Sequence, residues 1–371
     1  MNRKARLCAC FLLFLCFTSR AQIVPDRPYW FTLEQGKLHF RNGAYGNALI
    51  AFQDARTQRR DMYARMAQDM IILLSIPEVR RFRDALDLIE IYINERGQIN
   101  ARQALDELYY RLPRASLGNS AQNALTQLNR LMDYPEAEYW IGETYRAEGE
   151  LGIALRQYER AYNQRELLET PGFAIELLYK MADIHRIRQE YTQMEEKLLE
   201  ILKEDTLWME NGTFVRTAMT RTLENDGIDR FLTLYRYNNP RMLRAHQLLG
   251  YYYYAASRHV HAVEHLVFVF LIQNSIVMDE IIRSRFDFTY TTLDDLLAEV
   301  MTRPALSAYF EETEYYKTMY YLGTAFLGYG KPVPARDFWN ALSRQANAGE
   351  WRNRALSQLR NPVIERALEM P

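Results

Sequence analysis

Apolar residues recur at spacings of three and four along most of the chain, as at Ala85, Leu86, Ile89, Tyr92 and Ile93. That spacing gathers them on one face of an α-helix. Prolines at 77, 113, 135, 171, 240 and 304 punctuate the pattern. No alternating segment is followed by a hairpin turn. HLVFVFLI, from His265 to Ile272, is rich in strand-forming types but continues the helical spacing, so it predicts a buried helix. FDFTYTTL, from Phe286 to Leu293, predicts an irregular or extended piece. With no low-complexity linker after the amino terminus, the pattern predicts one continuous all-α domain over residues 22–371.

Small residues sit on this pattern in a fixed register. Steps of 7, 12, 16 and 19 from Gly142 reach Gly149, Ala154, Tyr158 and Ala161. The same steps lead from Gly36 to Gly43, Ala48, Phe52 and Ala55, and from Gly323 to Gly330, Ala335, Trp339 and Leu342. From Gly250 they reach Ser257, Ala262, Leu266 and Val269; a weaker copy runs from Ala182 through Gln189, Met194, Leu198 and Ile201. The register predicts helix hairpins. The first small residue lets a second helix cross closely, and the glycine seven later ends the first helix. The alanine brings the second helix tight against the first, and the large residue four later fills the gap.

This register resembles the tetratricopeptide repeat family, which places a small residue, a tyrosine, a turn glycine, an alanine, an aromatic and an alanine across about 34 residues. Gly142, Tyr145, Gly149, Ala154, Tyr158 and Ala161 match throughout. His39 and Phe326 replace the tyrosine in two copies, and the family's closing proline is missing from most. Clear copies cover about 29–62, 135–168, 243–276 and 316–349, with divergent hairpins expected near 66–95, 99–132, 175–203 and 213–237 and a further helical pair in 277–315. The resemblance implies a right-handed α-solenoid of stacked helix-turn-helix repeats, closed by a C-terminal capping helix within 351–369. It also implies a concave groove lined by first helices. That groove would present Tyr139, Glu143 and Arg146, then Tyr179, Asp183 and Arg186, then Gln247, Tyr251 and Tyr254, then Lys317, Tyr320 and Thr324. Tyr253 should point into its hairpin. The alternative is that these tyrosines pack against neighbouring repeats. The family's lysine–asparagine clamp for a peptide carboxylate is not recognisable.

The first 21 residues read as an export signal: Arg3, Lys4 and Arg6, the apolar run LCACFLLFLCF, then Ser19 and Ala21 before a cut after Ala21. The rivals are a lipid anchor at Cys16, where Leu15 is large for that pattern, or an uncleaved signal. All three cysteines lie in this segment, so the mature chain would hold no disulfide or thiolate site. Without its four basic residues, the 46 Lys and Arg fall to 42 against 47 Asp and Glu, a net charge of about −5. That balance argues against a nucleic-acid partner.

Motifs for chemistry are few. GYGKP (Gly328 to Pro332) lacks phosphate-loop spacing, and ENDGID (Glu224 to Asp229) lacks the alternating ligands of a calcium loop; both read as turns. NGT at Asn211 reads as a polar loop. His261 and His265, four apart in HVHAVEH, are a weak metal candidate, with solvated helix positions the default. No cofactor and no catalytic residue are expected. The expectation is therefore a non-enzymatic scaffold, exported to the periplasm or cell envelope, that binds a protein or peptide partner. The alternatives are a cell-wall-lytic enzyme built on a helical superhelix, or a ligand- or metal-binding solenoid.

Overall fold

A computed structural model describes residues 27–75, 121–170, 172–210 and 212–366. The export signal with its cysteines, most of the hairpins expected at 66–95 and 99–132, and Asn211 lie outside the described residues. Among the described residues the secondary structure is helical, with no strand. The chain divides into two compact units, the first ending at Leu177 and the second beginning at Leu178.

Unit 1 contains α1 (Tyr29–Arg41), α2 (Tyr45–Ser75), α3 (Ala121–Leu131), α4 (Pro135–Ala147), α5 (Leu151–Asn163) and the start of α6 (Phe173–Ile187). α1 pairs with α2, and α4 with α5. Their shared core joins Tyr29, Leu33, Ala48, Phe52, Ala55, Tyr134, Ala137 and Ile141. α2 runs for 31 residues, so the helix boundary expected between 62 and 66 does not exist. Its buried stripe continues through Tyr63, Met66, Ala67 and Met70, and no glycine or proline interrupts it before Pro77. Arg59 lies on this stripe, fully buried, with its guanidinium 4.6 Å from the Tyr134 ring and its Nε donating to the Leu131 carbonyl at 2.9 Å.

Unit 2 takes up the rest of α6, then α7 (Tyr191–Leu202), α8 (Thr206–Glu210), α9 (Gly212–Asn225), α10 (Gly227–Leu234), α11 (Pro240–Ala255) and α12 (His259–Ser284). α13 (Leu293–Met301), α14 (Pro304–Glu312), α15 (Tyr315–Gly328), α16 (Pro332–Arg344) and α17 (Glu350–Arg360) complete it. α12 spans 26 residues, or about 39 Å at helical rise. It is long and apolar enough to cross a bilayer, but 78% of its apolar stretch is buried, which makes it a core helix. It contains the HLVFVFLI segment, every residue of it buried. It also runs eight residues past 276, so only residues 285–314 remain for the helical pair expected in 277–315. FDFTYTTL is irregular up to Thr292. There the Thr292 hydroxyl accepts from the Asp295 N–H, and the Asp295 carboxylate accepts from the Thr292 N–H, a reciprocal cap that starts α13.

The small-residue register is visible as packing inside each hairpin. A Cβ built on Gly36 would lie 2.5 Å from the Phe52 ring, and one on Gly142 would lie 2.7 Å from the Tyr158 ring. The equivalents are 2.6 Å for Gly250 against Leu266 and 2.8 Å for Gly323 against Trp339. Each partner stands sixteen residues on, and all four are fully buried. The turns also repeat. Residues 43, 149, 189, 257 and 330 all have φ between 59° and 84°. At each, the N–H bonds to the carbonyl three residues back, and the next N–H bonds to the carbonyl five back at 2.7–2.9 Å. This is the glycine-type helix ending that satisfies otherwise orphaned carbonyls. Gln189 and Ser257 make it without glycine, at a cost of about 1–2 kcal/mol each.

A candidate binding pocket in unit 2

In unit 2 a cavity of about 780 Å³ opens where α6, α11, α14, α15 and the start of α17 converge. That volume falls within the usual range for ligand sites. Seven of its seventeen lining residues are aromatic. Tyr321 meets Tyr254 edge-on at 5.0 Å and Tyr251 at 5.4 Å, and Trp351 lies 5.9 Å from Tyr321. Polar bonds fix these rings. The Tyr251 hydroxyl is 3.2 Å from the Thr318 hydroxyl, and the Tyr254 hydroxyl donates to the Glu365 carbonyl at 2.5 Å. Burial raises the pKa of both phenols, so they stay neutral at physiological pH. Tyr316 also lines the wall, but its hydroxyl is buried out of reach of the cavity and has no hydrogen-bond partner.

The rim is built around a backbone irregularity. Glu314 adopts left-handed φ of 53° between α14 and α15. The amides of Gln247 and Gln273 both donate to the preceding Thr313 carbonyl, at 3.0 and 2.7 Å, and hold that corner. Strain of this kind in a non-glycine residue is costly and concentrates at functional sites. From the same corner Glu314 accepts from Lys317 Nζ at 2.8 Å, and the ammonium sits 4.9 Å from the Tyr251 ring. Arg186 also borders the cavity and pairs with Asp183 at 2.9 Å.

Of the groove residues expected from the register, the cavity gathers Arg186, Gln247, Tyr251, Tyr254 and Lys317. Others do not line it. The Tyr179 hydroxyl donates to the Arg241 carbonyl and accepts from the Ala245 N–H. Tyr320 and Thr324 are fully buried: Gln358 of α17 donates to the Tyr320 hydroxyl at 3.1 Å, and Thr324 bonds back to the Tyr320 carbonyl. Tyr139, Glu143 and Arg146 belong to unit 1, where Tyr139 packs 4.7 Å from Phe173 and Glu143 accepts from the Tyr158 hydroxyl. The register could not reveal Phe310, Glu311, Asn347, Glu350 or Trp351 as lining residues, because they come from segments outside any repeat copy or at its edge.

The histidines need a correction. His265 is not a solvated helix position but only 3% exposed, its Nδ1 3.0 Å from that of His246 and its ring 4.6 Å from Trp208. The Tyr253 ring lies 5.3 Å from His265 and 5.4 Å from His261, and Tyr253 points inward as expected, donating to Glu195. His261 turns instead to Glu264 at 3.2 Å. Among the described residues no group of three or more ligating side chains could hold a metal. His246 faces fully buried Asp205, Nε2 to Oδ2 at 3.7 Å, beyond hydrogen-bond reach. Burial opposes ionisation of Asp205, but the neighbouring His246, the Tyr237 hydroxyl and the Trp208 N–H outweigh it and hold its carboxyl below the ordinary range. Burial lowers the pKa of both imidazoles, that of His265 strongly. A carboxylate beside an imidazole can orient it and stabilise its protonated form in general-base catalysis. Here they are sealed in the core, and none lines the cavity.

No protein-family model matches the chain. It is similar to a protein of Treponema pallidum (strain Nichols) named "Uncharacterized protein", with 25% identity over 333 residues, 89% of each chain. That name assigns no activity.

Proposed function

We propose that the chain is a non-enzymatic scaffold, exported to the bacterial cell envelope, that holds a protein or peptide partner. In this reading the hairpins are tetratricopeptide-like repeats stacked into a right-handed α-solenoid, and α17 caps its end. The observation that carries the reading is the cavity. Five residues assigned by sequence to the inner face of first helices line one aromatic depression in unit 2. Tyrosine, tryptophan and arginine are the types that dominate binding energy at interfaces. Arg186, Gln247, Tyr251, Tyr254, Glu314 and Lys317 are held by structural bonds, so the wall is a preformed surface of the kind that suits recognition.

The test uses Leu248, which is half-buried at the cavity wall. Leu248→Trp should obstruct the cavity while leaving the hairpin registers intact. Partners recovered from envelope extract on the wild-type chain are identified and rebound as purified components. The variant should lose that binding at an unchanged melting temperature. Equal binding by both proteins removes the cavity as the site.

A further inference from the structure

We propose that the cavity of unit 2 receives a basic side chain, the guanidinium of an arginine or the ammonium of a lysine, carried by a peptide. The inference rests on the scaffold reading and names the chemistry of the partner.

Charge decides it. The two cations at the cavity are already matched, Arg186 by Asp183 at 2.9 Å and Lys317 by Glu314 at 2.8 Å. Glu311 and Glu350 also line the cavity, both exposed, and neither has an ion-pair partner among the described residues. The uncommitted charge at the site is therefore negative, and an acidic peptide would be repelled.

The aromatic walls point the same way. Ring faces carry negative potential and attract cations, and a guanidinium also stacks flat upon them. The fold already uses this contact beside the cavity, where the Arg354 guanidinium lies 5.0 Å from the Trp351 ring. An uncharged apolar side chain would use the rings but leave Glu311 and Glu350 unanswered. Arginine, with five N–H donors and a planar face, answers both carboxylates and rings and should be preferred to lysine.

The experiment is a random heptapeptide display selection on the full chain, followed by fluorescence polarisation with an enriched peptide. Arginine, and less often lysine, should be enriched. Replacing that arginine by citrulline, which keeps the shape and removes the charge, should weaken binding at least tenfold. Glu311→Gln/Glu350→Gln changes only exposed side chains; it should weaken the arginine peptide to the citrulline level and abolish the difference between the two. Leu248→Trp should remove binding of both. Enriched peptides without basic residues overturn the inference and leave peptide binding standing. So does binding indifferent to citrulline or to the Gln pair. Undiminished binding of the basic peptide to Leu248→Trp overturns the cavity as its receptor. No enrichment over bare support overturns the scaffold reading as well.

Discussion

The close crossing at Gly142 makes a quantitative prediction. A methyl group there would stand 2.7 and 2.9 Å from Cε1 and Cδ1 of Tyr158 and 3.3 Å from the Gln157 Cβ. Ordinary carbon contacts need about 3.5–4.0 Å, so the ring must retreat by roughly 1 Å. It has little room, because Tyr158 is fully buried and its hydroxyl is held by Glu143. Overpacking of this kind costs about 1–3 kcal/mol, against a gain of about 1 kcal/mol from alanine's better helix propensity. Gly142→Ala should therefore be destabilising by about 0–2 kcal/mol. Gly152, on the adjoining helix of the same hairpin, has nothing within 4 Å of its built Cβ. Gly152→Ala has only the propensity gain, about 0.5–1 kcal/mol, and should be mildly stabilising. Urea denaturation followed by circular dichroism compares the two. In a Tyr158→Leu background the Gly142→Ala penalty should shrink, and the double-mutant cycle isolates the ring contact. The reasoning fails if Gly142→Ala is as harmless as Gly152→Ala, or if its penalty persists undiminished once the Tyr158 ring has been removed.

Two further outcomes are expected. Ser257→Gly should stabilise unit 2 by up to about 1 kcal/mol by relieving left-handed backbone, while Gly149→Ser should cost unit 1 about 1–2 kcal/mol; equal signs in denaturation would refute the shared turn geometry. Stability should also fall on mild acidification. Burial holds His246, His265 and His259 below their ordinary value of 6.5; at His246 it outweighs the opposing pull of Asp205, and at His265 the neighbouring His246, Arg216 and His261 add to it. The folded chain then binds fewer protons than the unfolded one, so stability is full above about pH 6.5 and is lost as pH falls below it. Asp205, lowered from 3.8, adds its own loss only at still lower pH. Denaturation midpoints from pH 8 to 5.5 should show the decline, and His265→Phe should flatten it; a flat wild-type profile would contradict the buried neutral pair.

The hairpins were legible in the sequence because each depends on residues close in the chain. Gly142 meets Tyr158 sixteen positions on, and Ser257 closes its turn through neighbouring carbonyls. Local spacing therefore carries the information. Features that join distant segments were not legible. His265 reads as an exposed helix residue until Trp208 and His246 are brought against it. Tyr320 reads as a groove residue until α17 lays Gln358 across it. Part of the cavity was visible, the part contributed by repeated first helices; Glu311 and Trp351 come from segments whose place depends on the completed core. The length of α2 was missed for another reason: its apolar stripe continues without a breaker, whereas the repeat length suggested an ending.

The unequal lengths of α11 and α12, 16 and 26 residues, limit how this chain can be rearranged. A row of matched hairpins tolerates loss or duplication of one member, since each new junction copies the old. Here the overhang of α12 is followed by α13 and α14, and Phe310 of α14 stacks on Tyr315 at 3.8 Å, which in turn faces Phe270 at 5.9 Å. Excising residues 285–314 would strip one face of Tyr315 and dismantle the corner that shapes the cavity mouth. Unit 2 is thus a poor donor of interchangeable modules: shuffling its central hairpins would sacrifice the very surface on which recognition is proposed to depend.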